Sequence, residues 1–184
     1  MTPTVAHDKG GWMQTYTGRA FWPLTPKSEH VKIVDIAHSL SMMCRYAGHC
    51  IRFYSVAEHC VHVAARAPDH LKLTALLHDA SEAYVVDIPR PIKPFLPNYY
   101  EIENHLMEMI SKKYGTSWPL PDEVKLLDNR ILSDEREQNM MFMDVYPSLW
   151  GNTQNALGIK LQYWTPEEAE LQFLRAFKAY GGRE

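Results

Sequence analysis

The stretch HLKLTALLHDASEAY, residues 70–84, decides how the rest of the sequence is interpreted. Its apolar run, which ends in Leu76 and Leu77, is more apolar than a surface helix needs and predicts a central helix. The ionisable pair His78-Asp79 follows directly. Burying such a pair is costly unless it is paired with other charges or bound to a metal ion. The pair is therefore the first candidate for chemistry, because near a helix end both side chains can reach one ion.

A second helix, predicted over residues 55–67 (SVAEHCVHVAARA), precedes the central one by a short turn. Ser55 and Glu58 stand in the S-x-x-E relation of a capping box, which predicts where this helix begins. His59 lies on it. Helices joined by a short turn are antiparallel neighbours, so the imidazole of His59 can face that of His78.

The remaining pattern is also mostly helical. The Pro-rich segment 86–94 cannot be regular helix, residues 12–34 indicate a short hairpin, and residues 142–164 look like an irregular excursion around Trp150. Strands do not alternate with helices, which predicts an all-α compact bundle. Further helices are predicted at about residues 35–46, 100–114, 121–140 and 166–180, the last with Thr165 as its N-cap.

Length, composition and charge limit the possible classes of protein. The 184 residues, 46% of them hydrophobic, predict one domain over residues 1–184, with a motif core at about 35–140 on which the C-terminal helix packs. A net charge of −3 argues against nucleic-acid and membrane partners, but permits a small anionic ligand bound by a few nearby Lys or Arg side chains. Three cysteines without a CxxC pair, no signal peptide and no run of 18 apolar residues indicate a cytoplasmic protein.

A fourth metal ligand is expected from another helix, where Asp128 stands beside Leu127 and Ile131 on an apolar face. Two imidazoles and two carboxylates suit Mn²⁺, Fe²⁺, Co²⁺ or Zn²⁺. An ion with open positions polarises a phosphoryl oxygen and lowers the pKa of water. The alternative is structural, with Asp79 as the cap of the next helix and His78 as a hydrogen-bonded core residue.

Other polar and sulfur-containing residues are expected to be structural. His62 is expected at the surface or behind the metal ligands, and Glu135-Arg136-Glu137 is expected to be a solvated helix face. The pair Met42-Met43 is expected to fill the core or an interface. Ordinary structural roles are expected for the histidines at His38, His49, His70 and His105.

The order His59, His78-Asp79, Asp128 resembles the H…HD…D pattern of the HD-domain metal-dependent phosphohydrolases. The resemblance spans about residues 15–140. It is closest to the branch that contains bacterial 5′-deoxynucleotidases and small phage and prophage HD proteins, among them dATP triphosphohydrolases of the DatZ type. The stretches that carry it are YSVAEH at 54–59, HDASEA at 78–83 and DIPRPIK at 87–93, and segments 35–41 and 44–49 are similar to the phage members.

The resemblance implies a role for each matching residue. Glu82 would protonate the leaving oxygen, and Asp87 would orient or deprotonate the attacking water. Arg45 and Lys93 would hold phosphates. Tyr46 stands where the related nucleotidases carry a tryptophan that excludes a 2′-hydroxyl, which leaves the requirement for a deoxy sugar open. One divalent ion (Co, Zn, Mn or Mg) would be bound by His59, His78, Asp79 and Asp128.

The implied function is hydrolysis of a deoxynucleotide, with dATP favoured and deoxyadenosine and triphosphate as products; dADP and dAMP are possible weaker substrates. The alternatives are a 5′-deoxynucleotidase acting on monophosphates, an inactive nucleotide-binding module, and a phosphodiesterase or alarmone hydrolase. Glu82 and Asp87 argue against an inactive module, and the extra histidines of two-metal phosphodiesterases are not found. A homo-oligomer, dimer or hexamer, is expected in the cytoplasm of the cell or, for a phage protein, of the host. Trp118, Trp150 and Trp164 suit its interface or the core equally well.

Overall fold

Helices form in nearly every segment where the sequence predicts them in the computed structural model, which describes residues 10–143 and 155–184. Within these ranges the protein is mostly helical, which confirms the all-α prediction. The predicted hairpin is also found, as strands β1 (Met13–Gln14) and β2 (Ala20–Phe21) paired antiparallel. The helices are α1 (Ile33–Met42), α2 (Val56–Arg66), α3 (Lys72–Leu76), α4 (Glu82–Val85), α5 (Pro97–Tyr114), α6 (Asp122–Asn139) and α7 (Pro166–Ala179).

The central helix is α2 rather than the predicted 70–84 helix. It packs against α1, α3, α6 and α7 and buries a stripe that includes Val56, Cys60 and Val63. The side chain of Ser55 accepts a hydrogen bond from the Glu58 amide at 3.0 Å, as the capping pattern predicts. Because α2 contacts four other helices, any side chain on its buried face has a fixed position.

The prediction of one helix over residues 70–84 is wrong, because the chain breaks after α3 and restarts at α4. His78 causes part of this break: its Nδ1 donates to the carbonyl of Ala75 at 2.7 Å. In a continuing helix that carbonyl would accept from the backbone of Asp79. The break leaves His78 and Asp79 on a turn between two short helices.

The predicted helix at 35–46 ends early, at Met42, and a separate short turn carries Arg45. Its next two residues, Tyr46 and Ala47, have φ values of 57° and 51°. These left-handed conformations prevent the helix from continuing. The backbone N–H of Arg45 donates to the carbonyl of Tyr54 at 2.9 Å, so this turn is fastened beside the start of α2.

The C-terminal helix α7 begins as its sequence predicts. Thr165 and Glu168 form a complete capping box, and the helix packs on α1 and α2. Residues 155–164 before it form no helix or strand, whereas Trp150 and the rest of 144–154 lie outside the described residues. No helix in the described part of the chain is long and apolar enough to cross a membrane. The division into domains stays a prediction.

Candidate functional site

The Nε2 atoms of His59 and His78 lie 3.3 Å apart, and both side chains are buried. Nδ1 of His59 lies 2.7 Å from Oε1 of Glu135, and Nδ1 of His78 lies 2.7 Å from the carbonyl oxygen of Ala75. A carboxylate and a carbonyl only accept hydrogen bonds, so each neutral ring keeps its proton on Nδ1. When the rings are neutral, both therefore present an unprotonated Nε2 to the same point, the tautomer that a metal ligand needs.

Two carboxylates complete this cluster. Oδ2 of Asp79 lies 3.2 Å from Nε2 of His78 and 3.8 Å from Nε2 of His59. Oδ1 of Asp128, on α6, lies 3.2 Å from Nε2 of His59 and 3.8 Å from Nε2 of His78. The structure thus brings together all four residues that the sequence singled out as metal ligands, from α2, the turn after α3, and α6.

The spacing of these atoms fits a single small divalent ion. Ligand atoms about 2.1 Å from an ion lie about 3.4 Å apart at the corners of a tetrahedron and about 3.0 Å apart at adjacent corners of an octahedron. The observed separations, from 3.2 to 3.8 Å, are close to these values. The group of His59, His78 and Asp128 can therefore hold a metal ion. Asp79 lies close to the same two imidazoles and is the candidate for a fourth ligand.

Cys60, His78 and Asp79 form a second possible group. Thiols bind metals as thiolates, and burial raises the pKa of the Cys60 thiol to about 11. A protonated thiol is a poor ligand. The imidazole and carboxylate group is therefore the better candidate.

The charges within the cluster stabilise one another when no ion is bound. Burial lowers the pKa of His78, but the charge of Asp79 together with Cys60 and hydrogen bonds to Asp128 and Asp79 raises the pKa well above its ordinary value. Burial raises the pKa of Asp79, but the charge and hydrogen bond of His78 together with the charge of His59 hold the pKa at about 2. Binding of an ion must displace protons from the imidazoles, so metal binding and protonation are linked.

Glu135 is one of the residues at the candidate site that sequence reasoning missed. The prediction of a solvated face at 135–137 is wrong for this residue, which is fully buried. Its Oε2 accepts from Nη2 of Arg45 at 3.2 Å and from the hydroxyl of Tyr46, while its Oε1 faces His59. A signal was present, because Asp128 and Glu135 are seven residues apart and share one face of α6.

Arg45 and Tyr46 are joined to the metal cluster through this carboxylate. Nη1 of Arg45 also lies 3.9 Å from Oδ2 of Asp79, and its side chain is only 10% exposed. Burial opposes the charge on Arg45, but Glu135 and other anionic groups outweigh it and raise the pKa of the guanidinium. Arg45 therefore provides a permanent positive charge at the edge of the cluster.

Glu82 lies beside the cluster at the start of α4 and is 5% exposed. Its Oε2 is buried and has no hydrogen-bond partner among the described residues. Burial, followed by the charges of Asp79 and Asp87, raises its pKa well above the ordinary value. A carboxyl group with a raised pKa holds its proton more readily than an exposed glutamate, which suits a proton donor. Asp87 itself is half-buried on the loop after α4.

Two further cationic side chains, Lys93 and Arg90, lie close to carboxylates of the site. Nζ of Lys93 lies 3.0 Å from Oε1 of Glu103 and 3.9 Å from Oε1 of Glu82, so Lys93 is held near the site. Arg90, which sequence reasoning did not select, has Nη2 3.7 Å from Oδ2 of Asp128 and a side chain that is 68% exposed. Its position between Pro89 and Pro91, in the segment that carries Asp87 and Lys93, was the available signal.

The other predicted residues lie apart from the cluster. His62 is half-buried on α2, where its Nε2 lies 3.2 Å from Oε1 of Glu58 and its ring stacks on Trp164. Trp118 is half-buried as well, and whether either tryptophan serves an interface stays a prediction. His49, His70 and His105 are exposed, whereas Nδ1 of His38 lies 2.9 Å from Oε2 of Glu170.

Two bacterial proteins are similar to this chain. The uncharacterized protein YfdR of Escherichia coli K12 is 40% identical over 125 residues, which cover 68% of this chain and 70% of YfdR. The uncharacterized protein RCAP_rcc00048 of Rhodobacter capsulatus is 33% identical over 127 residues, which cover 64% of this chain and 65% of that protein. No family model matches the sequence. Neither relative carries a name that states an activity, so the activity must be argued from the site.

Proposed function

We propose that this chain, which belongs to the same family as YfdR, is a metal-dependent hydrolase of the HD-domain type that cleaves the 5′ phosphoester of deoxynucleotides. One observation carries the proposal: two imidazoles and two carboxylates from distant parts of the chain converge, and each carboxylate lies 3.2 to 3.8 Å from both imidazole Nε2 atoms. The hydrophobic core alone does not require two buried imidazoles and two carboxylates to converge on one point, since burying ionisable groups is costly.

The groups around the cluster support a phosphorylated substrate. Arg45, Lys93 and Arg90 supply positive charge within 4 Å of Asp79, Glu82 and Asp128 respectively. Planar guanidinium groups match phosphate oxygens in shape and charge. The positive charges of these three side chains would compensate the negative charge of a polyphosphate bound next to the carboxylates.

In the proposed reaction, water adds to the α-phosphorus while the bond from phosphorus to the 5′ oxygen breaks. Asp87 orients the water and takes its proton, and Glu82 gives a proton to the 5′ oxygen, so that a neutral nucleoside leaves. Arg45 and Lys93 hold the phosphates in line. A divalent ion held by the four ligands supplies Lewis-acid polarisation of a phosphoryl oxygen.

The favoured substrate is dATP, cleaved to deoxyadenosine and triphosphate, and the alternative is a 5′-deoxynucleotidase acting on monophosphates. The resemblance to the phage and prophage HD proteins supports the first. The position of Tyr46, whose hydroxyl donates to Glu135, neither adds to nor removes support for a deoxy sugar.

Product analysis tests the proposal. Purified protein is incubated with each dNTP, NTP and dNMP in the presence of Co²⁺, Mn²⁺, Mg²⁺ or EDTA, and the products are separated by ion-pair chromatography. We expect deoxyadenosine and intact triphosphate from dATP, with no product in EDTA. Orthophosphate from monophosphates alone would assign the nucleotidase activity instead. Absence of product with every metal and nucleotide would contradict the proposal and favour a binding module.

A further inference from the structure

Two cysteines, Cys44 and Cys50, are in contact at opposite ends of the turn that carries Arg45 and Tyr46. Their Sγ atoms lie 3.4 Å apart, and both side chains are half-buried. The sequence does not indicate this contact, because the two residues do not form a CxxC pair. The sulfur atoms of a disulfide bond are about 2.05 Å apart, so the pair has to approach by only about 1.4 Å to form one.

The backbone between the two cysteines follows a sharp turn. Tyr46 and Ala47 have φ values of 57° and 51°, and Gly48 has a φ of 81°. Left-handed conformations are unfavourable for residues other than glycine. This turn therefore depends on contacts from outside it to keep its shape.

The chain on either side of the turn is fastened to neighbouring elements. The backbone N–H of Arg45 donates to the carbonyl of Tyr54 at 2.9 Å. The backbone N–H of Ile51 donates to the carbonyl of Asn139 at 2.8 Å, and that of Arg52 donates to Oδ1 of the same asparagine at 2.9 Å. These hydrogen bonds hold the two cysteines next to each other, while the tip of the turn is exposed and open to small molecules.

We propose that Cys44 and Cys50 are a site of reversible oxidation, and that the disulfide they form fastens the turn that positions Arg45 and Tyr46. Those two side chains hold the carboxylate of Glu135. The bond therefore acts next to the candidate metal cluster without using any of its ligands. The inference does not depend on the proposed reaction, because neither cysteine takes part in the hydrolysis.

Hydrogen peroxide is the oxidant in the simplest form of this reaction. The thiolate of Cys44 attacks one peroxide oxygen, which gives a sulfenic acid on Cys44 and releases water. The sulfur of Cys50 then attacks that of Cys44, so that the S–S bond forms and the hydroxyl leaves with the Cys50 proton as a second water. The two thiols together lose two electrons and two protons, and the peroxide is reduced to two molecules of water. Burial, followed by the hydrogen bond with Cys44, raises the pKa of the Cys50 thiol to about 11, so the first attack is assigned to Cys44.

Peptide mapping tests the proposal directly, because trypsin cleaves after Arg45, between the two cysteines. The full-length protein in EDTA is treated with a small excess of hydrogen peroxide, its remaining thiols are blocked with N-ethylmaleimide, and its tryptic peptides are analysed by mass spectrometry. We expect peptides 33–45 and 46–52 to be joined and to separate in dithiothreitol. Peptide 53–66, which carries the buried Cys60, should stay unlinked.

Cys44→Ser and Cys50→Ser remove the site, and Cys60→Ala is the matched control that keeps it. Each protein is compared with its own reduced form. Oxidation should raise the Tm of the wild type and of Cys60→Ala by about 5 °C, because a disulfide restricts the unfolded chain, and should give no such rise in the two serine variants. The backbone amides of residues 46–49 should exchange with D₂O about tenfold more slowly in the oxidised wild type than in the reduced protein.

The two parts of the proposal can be overturned separately. Absence of the linked peptides after oxidation, linkage to Cys60 instead, or a link that survives dithiothreitol would overturn the assignment of Cys44 and Cys50 as a reversible disulfide. Linked peptides together with an unchanged or lower Tm and unchanged amide exchange would overturn the claim that the bond fastens the turn.

Discussion

At the scale of single residues, the position of His59 is fixed from both sides of its ring. Nδ1 faces the carboxylate of Glu135 at 2.7 Å, and Nε2 faces Asp128 at 3.2 Å. Arg45 and Tyr46 hold that same Glu135 carboxylate, so the ligand cannot rotate without breaking several buried hydrogen bonds. If these residues bind an ion, the geometry of the site is set before binding.

Asp79→Ala removes one of the four ligands. We expect turnover of dATP to fall by at least about a hundredfold, with the far-UV circular dichroism spectrum unchanged, because loss of a ligand weakens metal binding while the hydrophobic core is untouched. Asp69→Ala is the control, since the Asp69 side chain is 96% exposed and its ion pair is with Lys72, not with a residue of the cluster. Wild-type turnover in Asp79→Ala would refute the assignment of this metal ligand.

The ionised side chain of Glu135 makes a testable contribution to the free energy of unfolding. Burial raises this pKa, but the charges of Arg45 and His59 outweigh it and hold the value at about 2, below the ordinary 4.5. A depressed pKa stabilises the fold fully above the unfolded value, and that stability is lost as the pH falls toward the folded value. The contribution should shrink by about 2 kcal/mol between about pH 5 and about pH 3.

Urea unfolding of metal-free protein measures this contribution as the difference between wild type and Glu135→Gln. The difference in the free energy of unfolding should favour the wild type most near pH 5 and decline below it. Glu137→Gln, at an exposed position on the same helix, should show no such trend. A difference that stays constant down to pH 3 would mean that the Arg45 and His59 contacts do not hold Glu135 ionised.

The candidate site could be predicted in part at this scale. The sequence singles out His59, His78, Asp79 and Asp128 because ionisable residues on apolar helices need a partner. It does not single out Glu135, because three successive charged residues resemble a solvated face when they are considered without the helical period. Its seven-residue spacing from Asp128 places it on the same face of α6, and packing of α6 against α2 buries it.

At the scale of elements, Glu58 connects the beginning of α2 to the segment before α7. Its carboxylate accepts the backbone N–H groups of Gln162, Tyr163 and Trp164 at 2.7, 3.0 and 2.8 Å. Glu58, which the sequence marks as the second member of a capping box, therefore also fastens a segment about 100 residues further along the chain. The capping pattern predicted the helix start correctly but not this use of the side chain, because nothing local indicates residues 162–164.

Glu58→Ala should lower the free energy of unfolding by about 3 kcal/mol or more, since it leaves three backbone donors without their acceptor. Ser55→Ala removes only the N-cap hydrogen bond of the same helix and should cost about 1 kcal/mol. Urea unfolding of both variants in EDTA, with circular dichroism as the signal, gives the comparison. Equal losses in the two variants would show that the contacts to residues 162–164 contribute no stability.

The break between α3 and α4 shows why local patterns could not place the site alone. Helical spacing across 70–84 is real, but the hydrogen bond from His78 to Ala75 ends the helix and turns Asp79 toward His78. The sequence pattern indicates a helix end near His78 but does not predict which way the chain turns there. A cavity of about 550 Å³ beside Glu82 was not predicted at all, because its walls come from a hairpin, α1 and α4, which meet only in the folded chain.

At the scale of the whole molecule, the candidate metal ligands come from segments that are far apart in the sequence. His59 lies on α2, His78 and Asp79 on the turn after α3, and Asp128 on α6. An ion bound by all of them acts as a cross-link of the native state alone, because the unfolded chain does not bring these groups together. Metal binding should therefore stabilise the whole fold, not only the loop at the site.

Titration of EDTA-stripped protein with Mn²⁺, Co²⁺ or Zn²⁺ should consequently raise the Tm. At free metal near 100 times the Kd the linkage supplies about 2.7 kcal/mol, which for a chain of this length corresponds to roughly 5–10 °C. Asp128→Ala should lose most of this shift, because it disconnects α6 from the cluster, whereas Asp69→Ala should retain it in full. If Asp128→Ala responded to every metal as the wild type does, the ion would be bound elsewhere, and the convergence of the four side chains would have a purely structural cause.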